Sequence, residues 1–150
     1  MIPSKKCIDL IKQFEGLNLN AYKCPAGVWT IGYGNTFYED GSKIKEGQKI
    51  SIERAEQLLV FEVSLIAGKF PELNINQNQF DALISFCYNV GLTAFLGSTL
   101  YKIIKNNPND PGIEAEFKKW CKARVNGRLK ILKGLLRRRI AESNLYHEKN

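Results

Sequence analysis

Histidine is almost missing from this chain of 150 residues, with only His147 present near the carboxyl end. The four cysteines, Cys7, Cys24, Cys87 and Cys121, form no CxxC pair and have no histidine beside them, so a zinc site is not expected. No metal and no cofactor are expected at all. Long apolar runs are also missing. A membrane span needs about twenty uninterrupted apolar residues, and the nearest candidate, Phe80 to Gly97, is broken by Asp81 and Asn89. Stable membrane insertion is therefore not expected. Met1 to Lys6 is followed by Asp9, Lys12 and Glu15 instead of an apolar segment, so no cleavable signal peptide is expected either. The chain lacks the length for two independent cores, which points to one domain over residues 1–150.

Acidic charge is in short supply. Fifteen Asp and Glu face 22 Lys and Arg, a net charge of +7 that favours an anionic partner. Between Phe117 and Ala141 there are ten Lys and Arg and no acid. A solvated helix face is the ordinary reading of such a run. Its functional reading is salt-sensitive attraction to an anionic cell envelope, with some of the arginines pairing with Glu15 or other carboxylates. A nucleic-acid-binding module would explain the charge, but no helix-turn-helix, zinc finger or RNP-like pattern is present, and no nucleic-acid partner is expected.

What is present reads as helix, small sheet, then helices only. Cys7, Leu10, Ile11 and Phe14 recur at helical spacing between a capping Ser4 and Gly16, so a short helix stops at Glu15. From Leu19 to about Ile44, Tyr22, Trp29, Ile31, Tyr33 and Phe37 alternate with turn residues and predict a small antiparallel sheet. Helices follow from Ser51, from Phe80 to Gly91, after Ser98 or Thr99, and through Leu129, Leu132, Leu136 and Ile140. This segregation argues α+β, with a sheet lobe over residues 17–50 and a helical lobe over 51–150 joined by the first helix.

A glycosidase needs a protonated acid beside the leaving oxygen and a second group that activates water or attacks the sugar. Glu15, at the negative end of a helix dipole, is expected to hold its proton unusually well. With a turn centred on Pro25 to Val28, Cys24 and Thr30 become near cross-strand partners on one face and are expected to hold a water between them. Each residue alone also has an ordinary structural role.

Together they carry a resemblance. The run FEGLNLNAYKCPAGVWTIGYG, Phe14 to Gly34, resembles the active-site segment of the phage-type lysozymes, the phage endolysins or muramidases. In that family a catalytic Glu ends the first helix, an Asp or in some members a Cys follows, and then a Thr, at the spacing of Glu15, Cys24 and Thr30 here. NQFDALISFCYNVG, Asn78 to Gly91, is similar to the family's central helix, GLLRRRIAESNLY, Gly134 to Tyr146, to its closing helix, and AFLGSTL to an element bordering the cleft. The resemblance implies a lysozyme-like fold with a cleft between the lobes. It also implies hydrolysis of the β-1,4 bond between N-acetylmuramic acid and N-acetylglucosamine in peptidoglycan, leading to host lysis. Tyr88 as an aromatic sugar platform and Ser98 or Thr99 as hydroxyl contacts are its weaker implications. It further implies a monomer held in the host cytoplasm until a membrane-permeabilising, holin-type partner gives access to the wall. Two departures stand out: Cys24 where most members have Asp, and Asn35 where His often follows the GYG run. Rival readings are a wall-binding relative that has lost its base, and a membrane-active protein using Trp120, Leu129, Leu132, Leu136 and Ile140 as the apolar face of a cationic helix.

Overall fold

Ser4 starts the first helix, α1 (Lys5–Glu15): its hydroxyl accepts from the Lys6 amide, and its own amide and hydroxyl bind the buried carboxylate of Asp81. In the computed structural model, which describes residues 1–149, that contact ties α1 to the central helix 77 positions away. Gly16, at φ +70°, ends α1 with its amide on the Lys12 carbonyl. Cys7, Leu10 and Ile11 form the buried stripe, as their spacing predicts.

The chain then forms β1 (Asn18–Lys23) and β2 (Trp29–Gly32), an antiparallel pair with an irregular register between Asn18 and Tyr22. The predicted sheet is smaller than the pattern suggested. Tyr33 and Phe37 lie outside the strands, in tight turns joined by single bridges between Ile31 and Asn35 and between Phe37 and Lys43. Gly32 and Gly34, both at positive φ, let the chain reverse there instead of extending. Ile31, Ile44 and Leu58 anchor this region to the next helix.

Ser51 caps α2 (Ile52–Lys69), which buries Ala55, Leu58, Leu59 and Val63. Asn76 and Gln79 close a capping box on α3 (Gln77–Val90), and the ten consecutive residues from Asn78 to Cys87 are buried. Burial on every side makes α3 the axis of the molecule. Around it pack α4 (Leu92–Leu96), α5 (Thr99–Asn106), α6 (Ile113–Lys118) and α7 (Lys133–His147).

The expectation of helices only after the first sheet is wrong in one place. Residues expected to lead into the terminal helix form a second hairpin, β3 (Lys122–Val125) paired with β4 (Arg128–Ile131). Asn126 and Gly127, at φ +52° and +78°, make a two-residue turn whose twist matches paired strands. Leu129 thus belongs to a strand, and Trp120 packs edge-on against Phe86, so the continuous apolar face proposed for a membrane-active helix does not exist. Cys7, Cys87 and Cys121 are buried free thiols that behave as small hydrophobes. Among the described residues, no helix is long and apolar enough to cross a membrane.

Phe86 lies at the centre of the larger core, fully buried, with Phe95, Phe117 and Trp120 ring centroids 6.0, 5.8 and 5.5 Å away. Replacing it with Ala removes all three contacts and leaves a cavity, so urea denaturation should report a loss of about 3–5 kcal/mol.

Candidate active site

Glu15 is the last residue of α1, and its side chain remains only 19% exposed. Its carboxyl group lies against the backbone of Gly34. A Cβ at that position would stand 3.2 Å from Glu15 Oε2, and the residue has φ +86°. Glycine is required there on both counts. On its other side, Arg138 Nη1 is 3.4 Å from Glu15 Oε1. Burial pushes the proton affinity of Glu15 up, and Arg138 followed by Arg139 pulls it partly back. The direction is the one the sequence predicts, and burial is its largest cause.

Arg138 is held from behind. Its Nε meets Glu142 Oε2 at 3.2 Å and its Nη2 donates to the Ser85 carbonyl at 3.2 Å. Glu142 also faces Arg139 at 2.9 Å and accepts from the Ser85 hydroxyl at 2.7 Å. Arg139 in turn donates to Asn89 and stacks on the Phe86 ring, its guanidinium 4.9 Å from the centroid. Arg138, Arg139 and Glu142 are all buried, so two members of the basic run face inward, where the sequence allowed some arginines to pair. The spacing of Arg138 and Arg139 from Glu142, four and three residues along one helix, was the readable signal for this cluster.

In the first hairpin the residue directly opposite Thr30 is Tyr22, and Cys24 lies two positions further along the strand direction. Cys24 and Thr30 therefore share a face as diagonal neighbours, not as a direct pair. The Cys24 amide bonds to the Val28 carbonyl at 3.0 Å and its carbonyl accepts from Gly27 at 2.8 Å, which closes the turn. Thr30 is buried and its hydroxyl donates to the Val28 carbonyl at 2.9 Å. The Cys24 thiol is drawn below its ordinary value by the backbone at Val28 first, then by the backbone at Ala26 and the Thr30 hydroxyl. Among the described residues no hydrogen bond links Glu15 to Cys24 or Thr30. What joins them is chain continuity, since Thr30 and Gly34 flank the same tight turn.

Sequence reasoning missed Glu62, although an acid three and four residues after the buried Leu59 and Leu58 of α2 stands beside the apolar stripe. Its carboxylate accepts from Asn35 Nδ2 at 3.0 Å. Burial raises its proton affinity, Tyr88 and Asn35 oppose the rise, and the charge of Glu15 adds to it. Asn35, whose role the sequence left open, thus orients a second cleft carboxyl. Tyr88 donates to the Tyr33 carbonyl at 2.7 Å and lines, with Phe37, Glu62, Ile66 and Leu92, a concavity of ≈ 310 Å³. A larger one of ≈ 750 Å³ is bounded by Glu15, Arg138, Asn89, Gly134 and Leu135. Ser98 does not fit the role expected of it. It is buried, its hydroxyl donates to the Phe95 carbonyl at 2.6 Å and accepts from the Tyr101 amide, and it caps α5. Thr99, exposed at the start of that helix, lines neither concavity.

Three outcomes follow from this geometry. Gly34→Ala should cost at least about 1 kcal/mol through its positive φ, and a crystal structure should show the Glu15 carboxyl displaced. Glu142→Gln leaves two buried guanidinium groups undercompensated and should destabilise by about 3–5 kcal/mol in chemical denaturation. Because Glu62 binds its proton more tightly when folded, the stability it contributes is complete at low pH. That stability is lost as pH rises through its folded pKa. Thermal unfolding of Glu62→Gln should therefore show a smaller loss of stability than the parent over that rise.

The comparisons agree with the geometry. The family described as Phage lysozyme matches residues 12–142. An endolysin of Acyrthosiphon pisum secondary endosymbiont phage 1 is 44% identical over 147 residues, covering 95% of this chain and 96% of its own. The solved endolysin from Escherichia coli O157:H7 phage FAHEc1 superposes with a TM-score of 0.90 at 39% identity, over 99% of this chain and 94% of that one. The muramidase domain of SpmX from Asticaccaulis excentricus does so with a TM-score of 0.84 at 33% identity, over 97% of each. With a buried carboxyl against a glycine turn, and relatives of this kind along nearly its whole length, the chain belongs to the phage lysozyme family and is a glycoside hydrolase of the lysozyme type.

Proposed function

We propose that this lysozyme cuts the β-1,4 bond between N-acetylmuramic acid and N-acetylglucosamine in peptidoglycan with Glu15 as general acid and Cys24 as general base. The observation that carries the reading is the contact of the Glu15 carboxyl with Gly34, which puts an acid against the turn that continues from the strand bearing Thr30. Glu15 gives its proton to the glycosidic oxygen as that bond breaks. Arg138, 3.4 Å away, then faces the carboxylate that remains and stabilises it. A water held between the Cys24 sulfur and the Thr30 hydroxyl attacks the anomeric carbon from the opposite side, and Cys24 takes its proton. Each turnover leaves Glu15 ionised and Cys24 protonated, and exchange with solvent restores both.

The two groups are shifted toward one another. Burial raises Glu15, and hydrogen bonds from Val28, Ala26 and Thr30 lower Cys24, so the fraction of molecules with a protonated acid and an ionised thiol increases. Activity should follow the fraction in which Glu15 is protonated while Cys24 is ionised, giving a bell-shaped pH profile bounded by the two ionisations. Tyr88 and Glu62 line the adjoining concavity as sugar contacts. The protein acts as a monomer on the wall, and reaches it from the host cytoplasm through a membrane-permeabilising partner.

Glu15→Gln should lower turnover on purified wall by about 10²–10⁴-fold while circular dichroism and wall binding stay unchanged. NMR of the first anomer released should show inversion. Retention would instead mean direct attack by the Cys24 sulfur through a thioglycosyl intermediate. Cys24 is the one cysteine of the four that is not buried, so alkylation under native conditions should label it alone and abolish activity. Cys24→Asp should remain active and move the ascending limb of the pH profile toward the ordinary aspartate range of about 4.

A further inference from the structure

The β3–β4 hairpin stands apart from both the catalytic groups and the cores. Its strands pair with each other from Lys122↔Ile131 to Val125↔Arg128, and a hydrogen bond from the Leu132 amide to the Cys121 carbonyl closes its base. A lone two-stranded hairpin is marginal in water, and this one spends little of its surface on burial. All four residues of β4 are exposed, with Leu129 at 60% and Ile131 at 61%.

The register sorts its side chains. Lys122 lies opposite Ile131 and Arg124 opposite Leu129, so these four share one face. On that face each large aliphatic side chain is set beside a cation. Ala123 and Val125, half-buried, point to the other face, where Lys130 and Arg128 are their partners. None of the four hairpin cations meets a carboxylate within ion-pairing distance among the described residues, although the exposed cations Lys5, Lys118 and Lys119 do. The cluster therefore repels itself, and exposes two aliphatic side chains to water as well.

From this arrangement we infer that the hairpin is a docking surface for an anionic phospholipid bilayer. Lipid phosphates neutralise Lys122 and Arg124 on the face that carries Leu129 and Ile131, which enter the boundary between headgroups and acyl chains, and Arg128 and Lys130 on the other face add attraction at longer range. A hydrated polyanion such as a wall polymer satisfies the charges but gives Leu129 and Ile131 nothing apolar to enter, and this decides between the two partners. The contact is peripheral. Among the described residues no helix is long and apolar enough to cross a membrane, and the four-residue strands of the hairpin are too short to do so. Docking of this kind holds a wall-cutting enzyme at the envelope.

The test is co-sedimentation of the full chain with phosphatidylcholine vesicles containing about a quarter phosphatidylglycerol, with phosphatidylcholine vesicles and purified wall sacculi run alongside. The inference requires binding to the anionic vesicles and not to the neutral ones. Lys122→Ser with Arg124→Ser, the two cations on the face of Leu129 and Ile131, should weaken that binding by at least about tenfold. Leu129→Ser with Ile131→Ser should leave a residual binding that added salt abolishes, where the parent retains some. Both pairs lie on an exposed hairpin outside the catalytic groups, so both variants should hydrolyse sacculi as the parent does. The inference is overturned if the parent ignores anionic vesicles, if the aliphatic pair changes nothing, or if the variants lose sacculus binding while vesicle binding persists. Glu15→Gln should bind vesicles like the parent, so the result stands whether or not Glu15 is the acid.

Discussion

The site depends on one buried electrostatic arrangement, the guanidinium of Arg138 fixed between Glu15 on one side and Glu142 with the Ser85 carbonyl on the other. A carboxyl group that is mostly removed from water keeps its proton, and a cation beside it opposes that tendency. Glu142 pairs with Arg138 and with Arg139, so the two buried guanidinium groups share one buried carboxylate. The same cluster joins α7 to α3 and to the end of α1, so the acid is set by the packing of three helices and not by a loop. Buried ion networks of this kind do little for net stability. Here the network fixes Arg138 beside a carboxyl whose proton affinity burial raises.

The opposite wall is built on different physics. Gly32 and Gly34 reverse the chain immediately after β2, which brings backbone without side chain against the Glu15 carboxyl. Across the first hairpin, Thr30 is buried with its hydroxyl on the Val28 carbonyl, while Cys24 remains partly exposed. Glu62 and Tyr88 extend the polar floor beyond this point, with Asn35 orienting the carboxyl.

Much of this was legible in the residue pattern. The apolar period of α1, its Ser4 cap and Gly16 stop placed Glu15 at a helix end, and the turn residues around Pro25 placed Cys24 and Thr30 on one face. What the pattern hid were properties of three-dimensional packing. Register within the hairpin depends on the turn closing between Cys24 and Val28, which sets Tyr22 opposite Thr30 and makes Cys24 its diagonal neighbour. Exposure hid the rest. Ser98 has the composition of a cleft residue but caps a helix, and Arg138 and Arg139 sit in a run of charges that reads as solvated. Leu129 fits a helical period as well as a strand, and Asn126 with Gly127 was the local signal that favoured the strand. Glu62 went unread because one acid beside an apolar stripe carries no motif.

Following the carboxyl carbon of Glu15 by NMR through a pH titration, in the parent and in Arg138→Met, measures this arrangement at its centre. A buried acid beside a cation should show a midpoint above the ordinary glutamate range of about 4.3 in the parent, and a further rise when the cation is removed. A parent midpoint at or below that range, or one that does not respond to the loss of Arg138, would contradict that arrangement.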